Sequence, residues 1–184
     1  MIRLRLFPQG LHEVKSFAAV CMFAVEHFPF QGRLRQIDHL LDSEVSSLVE
    51  QGKLSGAWES QAMLASKGRL APEYVLFAGV GSLEDLTLTK LYRHSKDIFA
   101  RMMRASAKNL SMQVSGFAQF PDDFAPVATE IMNGAIRGVI GNPWDVDILV
   151  CEPDDGKYDE LIVLSEQIAF SSVKNRELSL EVLI

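Results

Sequence analysis

The sequence predicts an α/β domain with a largely parallel sheet and helices on both of its faces. Short apolar runs alternate with longer segments in which apolar residues recur every three or four positions. This alternation is typical of parallel strands joined by crossover helices. A chain of 184 residues with 48% hydrophobic residues can bury one core of ordinary domain size. We therefore expect a single domain over residues 1–184.

The first part of the chain contains two clear strands, one helix and one weaker strand. Residues 2–7 alternate apolar and basic side chains, which is typical of a half-exposed strand at a sheet edge. Residues 16–26 are nearly all apolar and predict a strand buried on both faces. Apolar residues over 34–49 follow helical spacing, and Gly52 ends this amphipathic helix. Residues 57–65 are weakly apolar and fit a further strand.

The remaining elements follow Pro72. A strand over 74–78 leads into a helix over 87–108, which carries one apolar stripe. A strand over 112–118 precedes a helix over 123–140, where Asp122 and Asp123 suit the helix N-terminus. A strand starts at Asp145, and a last long helix covers 158–170. The ending ELSLEVLI fits either more helix or a final strand.

Composition and charge argue against a nucleic-acid-binding protein and against a membrane-spanning one. The net charge of −6 opposes nucleic-acid binding, and we read the basic residues on the helix over 87–108 as a solvated face. No apolar run reaches the roughly 18 residues of a membrane span, and the N-terminus lacks a signal-peptide core. Cys21 and Cys151 are expected as buried, reduced thiols. We therefore expect a cytoplasmic protein that does not contact membranes.

No motif predicts catalysis, a cofactor or a metal. The four histidines are scattered, without the spacing that places two imidazoles on one metal ion. Asp145 and Asp147 point the same way on a strand and could hold a cation, but solvent-facing strand residues are the simpler interpretation. No Gly-x-Ser-x-Gly sequence accompanies any serine, and no histidine adjoins either cysteine. We predict no catalytic or metal-binding residue.

One glycine-rich turn is a candidate ligand site. The sequence GVGSLE follows the strand over 74–78, which we expect to be a central strand of the sheet. The turn would then lie at the carboxyl edge of the sheet, where open α/β proteins gather ligands. It lacks the third glycine of a dinucleotide fingerprint, since Glu84 takes that position. A tight turn that needs glycine dihedrals is the favoured interpretation. If a ligand binds, we expect it near this turn and the turn over 141–144, and the predicted site residues are Gly79, Val80, Gly81, Ser82, Gly141 and Asn142.

The order of these segments resembles the N-terminal domain of the leucyl aminopeptidase family, peptidase family M17. In that family a strand ends in Gly-Leu-Gly, a helix with a recurring leucine pattern follows, and a segment rich in glycine and aromatic residues comes later. Val173 to Leu178, VKNREL, is similar to the stretch that closes the family's connecting helix. The matching positions in the other motifs are Gly79, Val80 and Gly81, residues 86–91, Glu130, Gly134, Gly138, Trp144 and Asp145.

This resemblance implies a macro-domain-like fold, with three α/β/α layers around a mixed, largely parallel sheet and a closing helix over 157–178. It also implies that the two-metal catalytic domain, with motifs such as NTDAEGRL, is missing from these 184 residues. We therefore expect a noncatalytic module for protein binding or assembly, either a homo-oligomer or a complex with a protein partner. HFPF at 27–30 and the LEVLI ending would suit an interface, or could pack internally. The alternative is a macro-like domain that binds a nucleotide or ADP-ribose.

Overall fold

The computed structural model of the protein describes residues 1–116, 124–174 and 180–183, with the side chains of all of these except 172–174 and 180–183. Within them, seven strands form one sheet in the order β3-β4-β2-β5-β6-β1-β7. The strands are β1 Ile2–Phe7, β2 Ala18–Phe23, β3 Gln61–Ala65, β4 Tyr74–Gly79, β5 Asn109–Gln113, β6 Val146–Cys151 and β7 Leu180–Leu183. All neighbouring pairs are parallel except β3 with β4.

Five α-helices cover the two faces of this sheet and confirm the three-layer prediction. They are α1 Gly32–Leu40, α2 Glu44–Glu50, α3 Leu88–Arg104, α4 Phe124–Val139 and α5 Asp155–Lys174. Alternate residues of a strand point to opposite faces of the sheet, so β2, β4 and β6 each contribute side chains to two cores. One core joins the sheet to α1 and α2 and includes Phe23, Phe77 and Val45. The other joins it to α3, α4 and α5.

No helix in the described ranges is long and apolar enough to cross a membrane.

Two expected strand positions are corrected by the sheet order. β1 was expected at an edge, but it lies between β6 and β7. Its arginines are tolerated because Asp147 on the neighbouring strand faces them, with 2.5 Å from Arg3 Nε to Asp147 Oδ1. β4 was expected near the centre of the sheet, but it is next to the edge strand β3. The weakly apolar segment before Pro72 therefore does form a strand, the antiparallel one.

The single helix predicted over 34–49 is two helices. Asp42 and Ser43 both have positive φ, at 56° and 59°, and this interrupts the helix between Leu40 and Glu44. Asp38 compensates, since its carboxylate accepts hydrogen bonds from the Ser46 N–H at 3.0 Å and the Ser46 hydroxyl at 2.5 Å. The side chain of Asp38 thus caps the N-terminus of the second helix. The helical spacing of apolar residues continues across Asp42 and Ser43, so the sequence pattern does not reveal the break between the two helices.

The boundaries of two later elements also differ from expectation, and the ending takes one of its two expected forms. Helix α3 ends at Arg104 rather than 108, and β5 starts at Asn109 rather than 112, because Ser106 with φ of 60° turns the chain between them. The ending forms a strand over Leu180–Leu183 that pairs with β1. Residues 117–118 of the predicted strand, Asp122, Asp123 and residues 175–178 of the predicted closing helix lie outside the described residues.

Candidate functional site

A cavity of about 510 Å³ lies over the carboxyl ends of β2 and β5. Val20, Cys21 and Met22 of β2 contribute its floor, and Gln113, Ser115 and Gly116 contribute one wall. After β2 the chain passes to β3 and then β4 on one side, whereas after β5 it passes to β6 on the other. Neighbouring strands whose connections diverge leave a crevice at their carboxyl ends, which is the usual ligand position in open α/β sheets.

The N-terminus of α1 forms the opposite wall of this cavity. Gly32, Arg33 and Leu34, the first three residues of the helix, all line it. Gln31 occupies the N-cap position but makes no side-chain capping bond. The first N–H groups of a helix lack partners within the helix and carry a partial positive charge. Helix α1 therefore presents donors and positive potential to the cavity.

Arg33 connects the cavity to the carboxyl end of β6. Its guanidinium donates to Ser115 Oγ at 3.1 Å and to Glu152 Oε1 at 3.1 Å. Glu152 is fully buried, and its Oε1 also accepts from the Asp154 N–H at 3.2 Å. The other oxygen, Oε2, has no hydrogen-bond partner among the described residues. The ion pair fixes Arg33 in place while about a third of its side chain stays exposed.

Further ionisable groups border the same cavity. Lys157, in the first turns of α5, brings a second cation, and its ammonium lies 5.9 Å from the centre of the Phe124 ring. Burial lowers the pKa of His27, which also accepts a hydrogen bond from the Ala24 N–H at its Nδ1. Glu26 supplies an acid. The cavity thus combines an apolar floor with a rim that carries two cations and one carboxylate.

The predicted Gly79–Ser82 segment lies beside this cavity without lining it. Ser82 donates its hydroxyl to Glu26 Oε1 at 2.6 Å, and the Leu83 N–H donates to Oε2 at 3.0 Å. These bonds hold the pKa of the Glu26 carboxyl below its usual value, so that it is ionised at neutral pH. Gly81 accepts from the Val25 N–H at 3.1 Å. The turn therefore holds the Glu26 carboxylate at the cavity.

Gly141 and Asn142 lie at the other end of the sheet, which corrects the expectation that both turns share the carboxyl edge. They follow α4 and precede β6, and a crossover helix returns the chain to the amino end of the next parallel strand. Gly141 has φ of 84°, and the Asn142 side chain donates to the Val139 carbonyl at 2.7 Å. This geometry closes the C-terminus of α4. The structure does not bring the two predicted segments together.

The two cysteines are buried, and the two strand aspartates form ion pairs within the domain. Burial raises the pKa of the Cys21 and Cys151 thiols to about 12, which keeps both protonated and unreactive. Asp145 pairs with the terminal amine of Met1 at 2.7 Å, and Asp147 pairs with Arg3. In the described part of the chain, no group of three or more metal-ligating side chains comes together.

Sequence reasoning missed the residues that matter most at this cavity, namely Arg33, Lys157, Glu26 and the Ser115-Gly116 pair. Two signals could have located them. Gln31-Gly32 starts the helix that follows a buried strand, and Ser115-Gly116 follows the parallel strand beside it in the sheet. The misplaced end of β5 put Ser115 and Gly116 inside a strand instead of at its carboxyl end.

Comparison with known families and structures adds to this description. The family model described as "Cytosol aminopeptidase family, N-terminal domain" matches residues 20–139. A search of curated proteins finds no significant match. A mutant of tomato leucine aminopeptidase shares the fold with a TM-score of 0.63 and 12% identity, covering 94% of this chain. This chain spans only 37% of the tomato protein.

Macrodomains share the same fold. A mutant Oceanobacillus iheyensis macrodomain solved with ADPR has a TM-score of 0.68 at 10% identity, and the match covers 91% of this chain and 92% of that one. A Trypanosoma brucei macrodomain solved with ADP has a TM-score of 0.64 at 12% identity, with 89% of this chain and 68% of that one covered. At such identities the likeness is one of fold alone.

Proposed function

Because this chain belongs to the cytosol aminopeptidase family through the family's N-terminal domain, we propose that it acts as a binding domain whose cavity takes an anionic, nucleotide-type small molecule. The observation that carries this proposal is the uncapped N-terminus of α1, which faces a cavity that also holds Arg33 and Lys157. Helix N-termini and guanidinium groups are the groups that proteins use to bind phosphates.

The size and lining of the cavity support this class of ligand. Sites for small molecules and cofactors have volumes of roughly 300–1,000 Å³, and this one has about 510 Å³. The apolar floor suits a ring system, the cations suit phosphate oxygens, and the Glu26 carboxylate suits sugar hydroxyls. The macrodomains solved with ADP and ADPR share the fold, which supports a ligand of similar chemistry.

A substitution at Gln31 tests the proposal without disturbing the buried pair of Arg33 and Glu152. Gln31→Asp supplies a capping carboxylate and so should stabilise the protein by about 1 kcal/mol. The same carboxylate should repel a phosphate at the helix N-terminus and weaken ADP binding about tenfold or more, measured by isothermal titration calorimetry. Gln31→Ser is the matched control, because it caps the helix without adding charge.

Three results would count against the anion site. One is the absence of heat from ADP or ADP-ribose at millimolar concentrations with the unmodified protein. A second is equal affinity for ADP and for adenosine, which lacks the phosphates. The third is equal ADP affinity in the Gln31→Asp and Gln31→Ser variants, since only the first places a negative charge at the helix N-terminus.

We also propose that the domain has a noncatalytic role in assembly, as the sequence predicts. The family match supports it because it lies in the N-terminal domain rather than in the hydrolytic part of an aminopeptidase. The predicted HFPF contact gains no support, because Phe30 is buried and its ring packs at 5.6 Å from the Phe23 ring. For the predicted site at Gly79–Ser82, we propose an indirect role: its Ser82 hydroxyl holds the Glu26 carboxylate at the cavity. The cytoplasmic location stays a prediction.

A further inference from the structure

In the described part of the chain, strand β3 pairs with β4 on one edge and with no strand on its other edge. Its backbone hydrogen-bonding groups can be assigned to one edge or the other. The Gly79 N–H donates to the Ser60 carbonyl at 2.8 Å, and the Ser66 N–H donates to the Glu73 carbonyl at 2.9 Å. In an antiparallel pair, hydrogen-bonded residues alternate with residues that point their backbone groups outward. The N–H and C=O groups of Gln61, Met63 and Ala65 therefore point away from β4 toward the open edge.

Within β3 itself, this edge lacks the charged residues and proline that usually block strand pairing, while the Arg101 guanidinium of α3 donates to the Gln61 side chain at 3.3 Å. Proteins protect exposed edges with charged side chains, proline or bulges. The five residues of β3, QAMLA, include no charge and no proline. Met63, at the centre of the strand, is 44% exposed, and Trp58 just before it is 39% exposed. An uncharged edge beside exposed apolar side chains is typical of a surface that pairs with another chain.

The sequence around β3 is complementary to itself in the antiparallel direction. If Met63 lies opposite Met63 of a second copy, Gln61 faces Ala65 and Glu59 faces Lys67. The Glu59 side chain is 63% exposed, with its carboxylate 3.7 Å from the Arg101 guanidinium of the same chain, and Lys67 is exposed as well. Opposite charges placed across paired strands stabilise the pairing. A twofold axis at Met63 would repeat this acid–base pair at both ends of the contact.

The length of the contact is also defined by the backbone. Glu59 and Lys67 have φ of 65° and 52°, so the chain turns away from the strand direction just beyond Ser60 and Ser66. A symmetric pairing centred on Met63 therefore uses the whole of β3 and ends at the two charged positions. Such a contact is short, which favours a concentration-dependent dimer over a permanent one.

We propose that β3 pairs antiparallel with β3 of a second copy of this chain, so that two seven-stranded sheets join into one continuous sheet. This contact gives the proposed assembly role a defined surface. It does not depend on the ligand cavity, because no residue of β3 lines that cavity.

The first test replaces the residue on the symmetry axis. Met63→Lys would set two ammonium groups against each other, and it should raise the dimer dissociation constant at least tenfold in sedimentation equilibrium. Val163→Lys is the control, because Val163 is an apolar residue of similar exposure, 53%, on α5. Thermal unfolding of both variants checks that the monomer is intact. ADP titration of Met63→Lys should match that of the unmodified protein, which separates this proposal from the anion site.

Exchanging the charges of Glu59 and Lys67 tests the strand register directly. This test remains valid even if Met63→Lys does not fold. Glu59→Lys and Lys67→Glu should each weaken the dimer, whereas the double variant should restore it. Amide hydrogen exchange of Met63 should slow with rising protein concentration, since its N–H is free only in the monomer.

Three outcomes would overturn the proposal. The unmodified protein could stay at 20.5 kDa at millimolar concentration. The dimer could dissociate equally in Val163→Lys, which would move the contact to α5. The double charge variant could fail to recover the dimer that each single variant loses.

Discussion

His94 makes the stability of the fold depend on pH. It is only 2% exposed on α3, and its ring packs at 4.8 Å from the Trp58 ring. Its Nε2 has no hydrogen-bond partner among the described residues. Burial, with help from Arg101, lowers the pKa of His94 from 6.5 to about 4. The fold therefore favours the neutral ring, and protonation at Nε2 would place an unpaired charge in the core.

The sign of the pH effect follows from this lowered pKa. The contribution of His94 to stability is complete above pH 6.5 and is lost as the pH falls from 6.5 toward 4, by about 3 kcal/mol at most. His27, whose pKa burial also lowers, acts in the same direction. We expect His94→Phe, which keeps the ring contact with Trp58, to flatten the dependence of unfolding free energy on pH across this window.

Urea unfolding at several pH values, for the unmodified protein and His94→Phe, measures this slope. His12→Phe is the comparison variant, since His12 is only half-buried whereas His94 is buried. An unchanged slope in His94→Phe would mean that the acid sensitivity arises elsewhere.

The two glycines of the Gly-Val-Gly turn are required for different reasons. A Cβ on Gly79 would lie 2.2 Å from the Ala57 carbonyl oxygen, so Gly79 allows the segment before β3 to approach the end of β4. Gly81 meets no such obstacle, but its φ of 90° is one that only glycine adopts without strain. Only Gly81 thus fits the expectation that the turn needs glycine dihedrals.

At the scale of elements, α3 and α4 pack along a seam of small residues. A Cβ on Gly134 would lie 2.4 Å from the Tyr92 carbonyl oxygen, and one on Gly138 would lie 2.5 Å from the Lys96 carbonyl oxygen. The Ser95 hydroxyl donates to the Ile131 carbonyl at 2.8 Å in the same seam. The two helices can approach this closely because one turn of α4 separates the two glycines.

We expect Gly134→Ala to destabilise the protein by about 1–3 kcal/mol despite alanine's better helix propensity, because the obstructing atom belongs to the backbone. Gly156→Ala in α5 is the control, since its Cβ would meet nothing closer than Asp154 Oδ1 at 3.6 Å. That variant should unfold at the same temperature as the unmodified protein or slightly higher. Equal midpoints for the two variants in thermal unfolding would show that the seam tolerates a methyl group.

At the scale of the whole molecule, the C-terminal segment completes the sheet. β7 pairs with β1 in parallel, from Ile2 opposite Leu180 to Arg5 opposite Leu183. The apolar sequence of this segment suggested an intermolecular interface. Its backbone already pairs with β1 on one edge, so an interface would have to use the remaining surface of β7. Without β7, the backbone groups of β1 on that side would lose their partners.

Deleting residues 180–184 should therefore lower the unfolding free energy, by about 1–3 kcal/mol, as several backbone hydrogen bonds are lost. Removing Ile184 alone is the control, because it keeps all four residues that pair with β1, Leu180–Leu183. Thermal unfolding and native mass spectrometry on both truncated chains separate the two roles. A lower oligomeric state with unchanged stability would instead make this segment an intermolecular contact.

The sequence by itself determined the α/β class, the approximate positions of the long helices and main strands, and the glycine turn after β4, since these follow from local apolar periodicity and backbone sterics. Its apolar spacing could not reveal the break between α1 and α2, because the Asp38 cap that allows the break depends on a side chain folded back over the next helix. The cavity was decided by the tertiary structure alone. Its residues come from positions 11–37, 113–116 and 157, which are far apart in the chain, and they meet only because β2 and β5 become neighbours whose connections diverge. Strand order depends on long-range packing, and no local pattern encodes it.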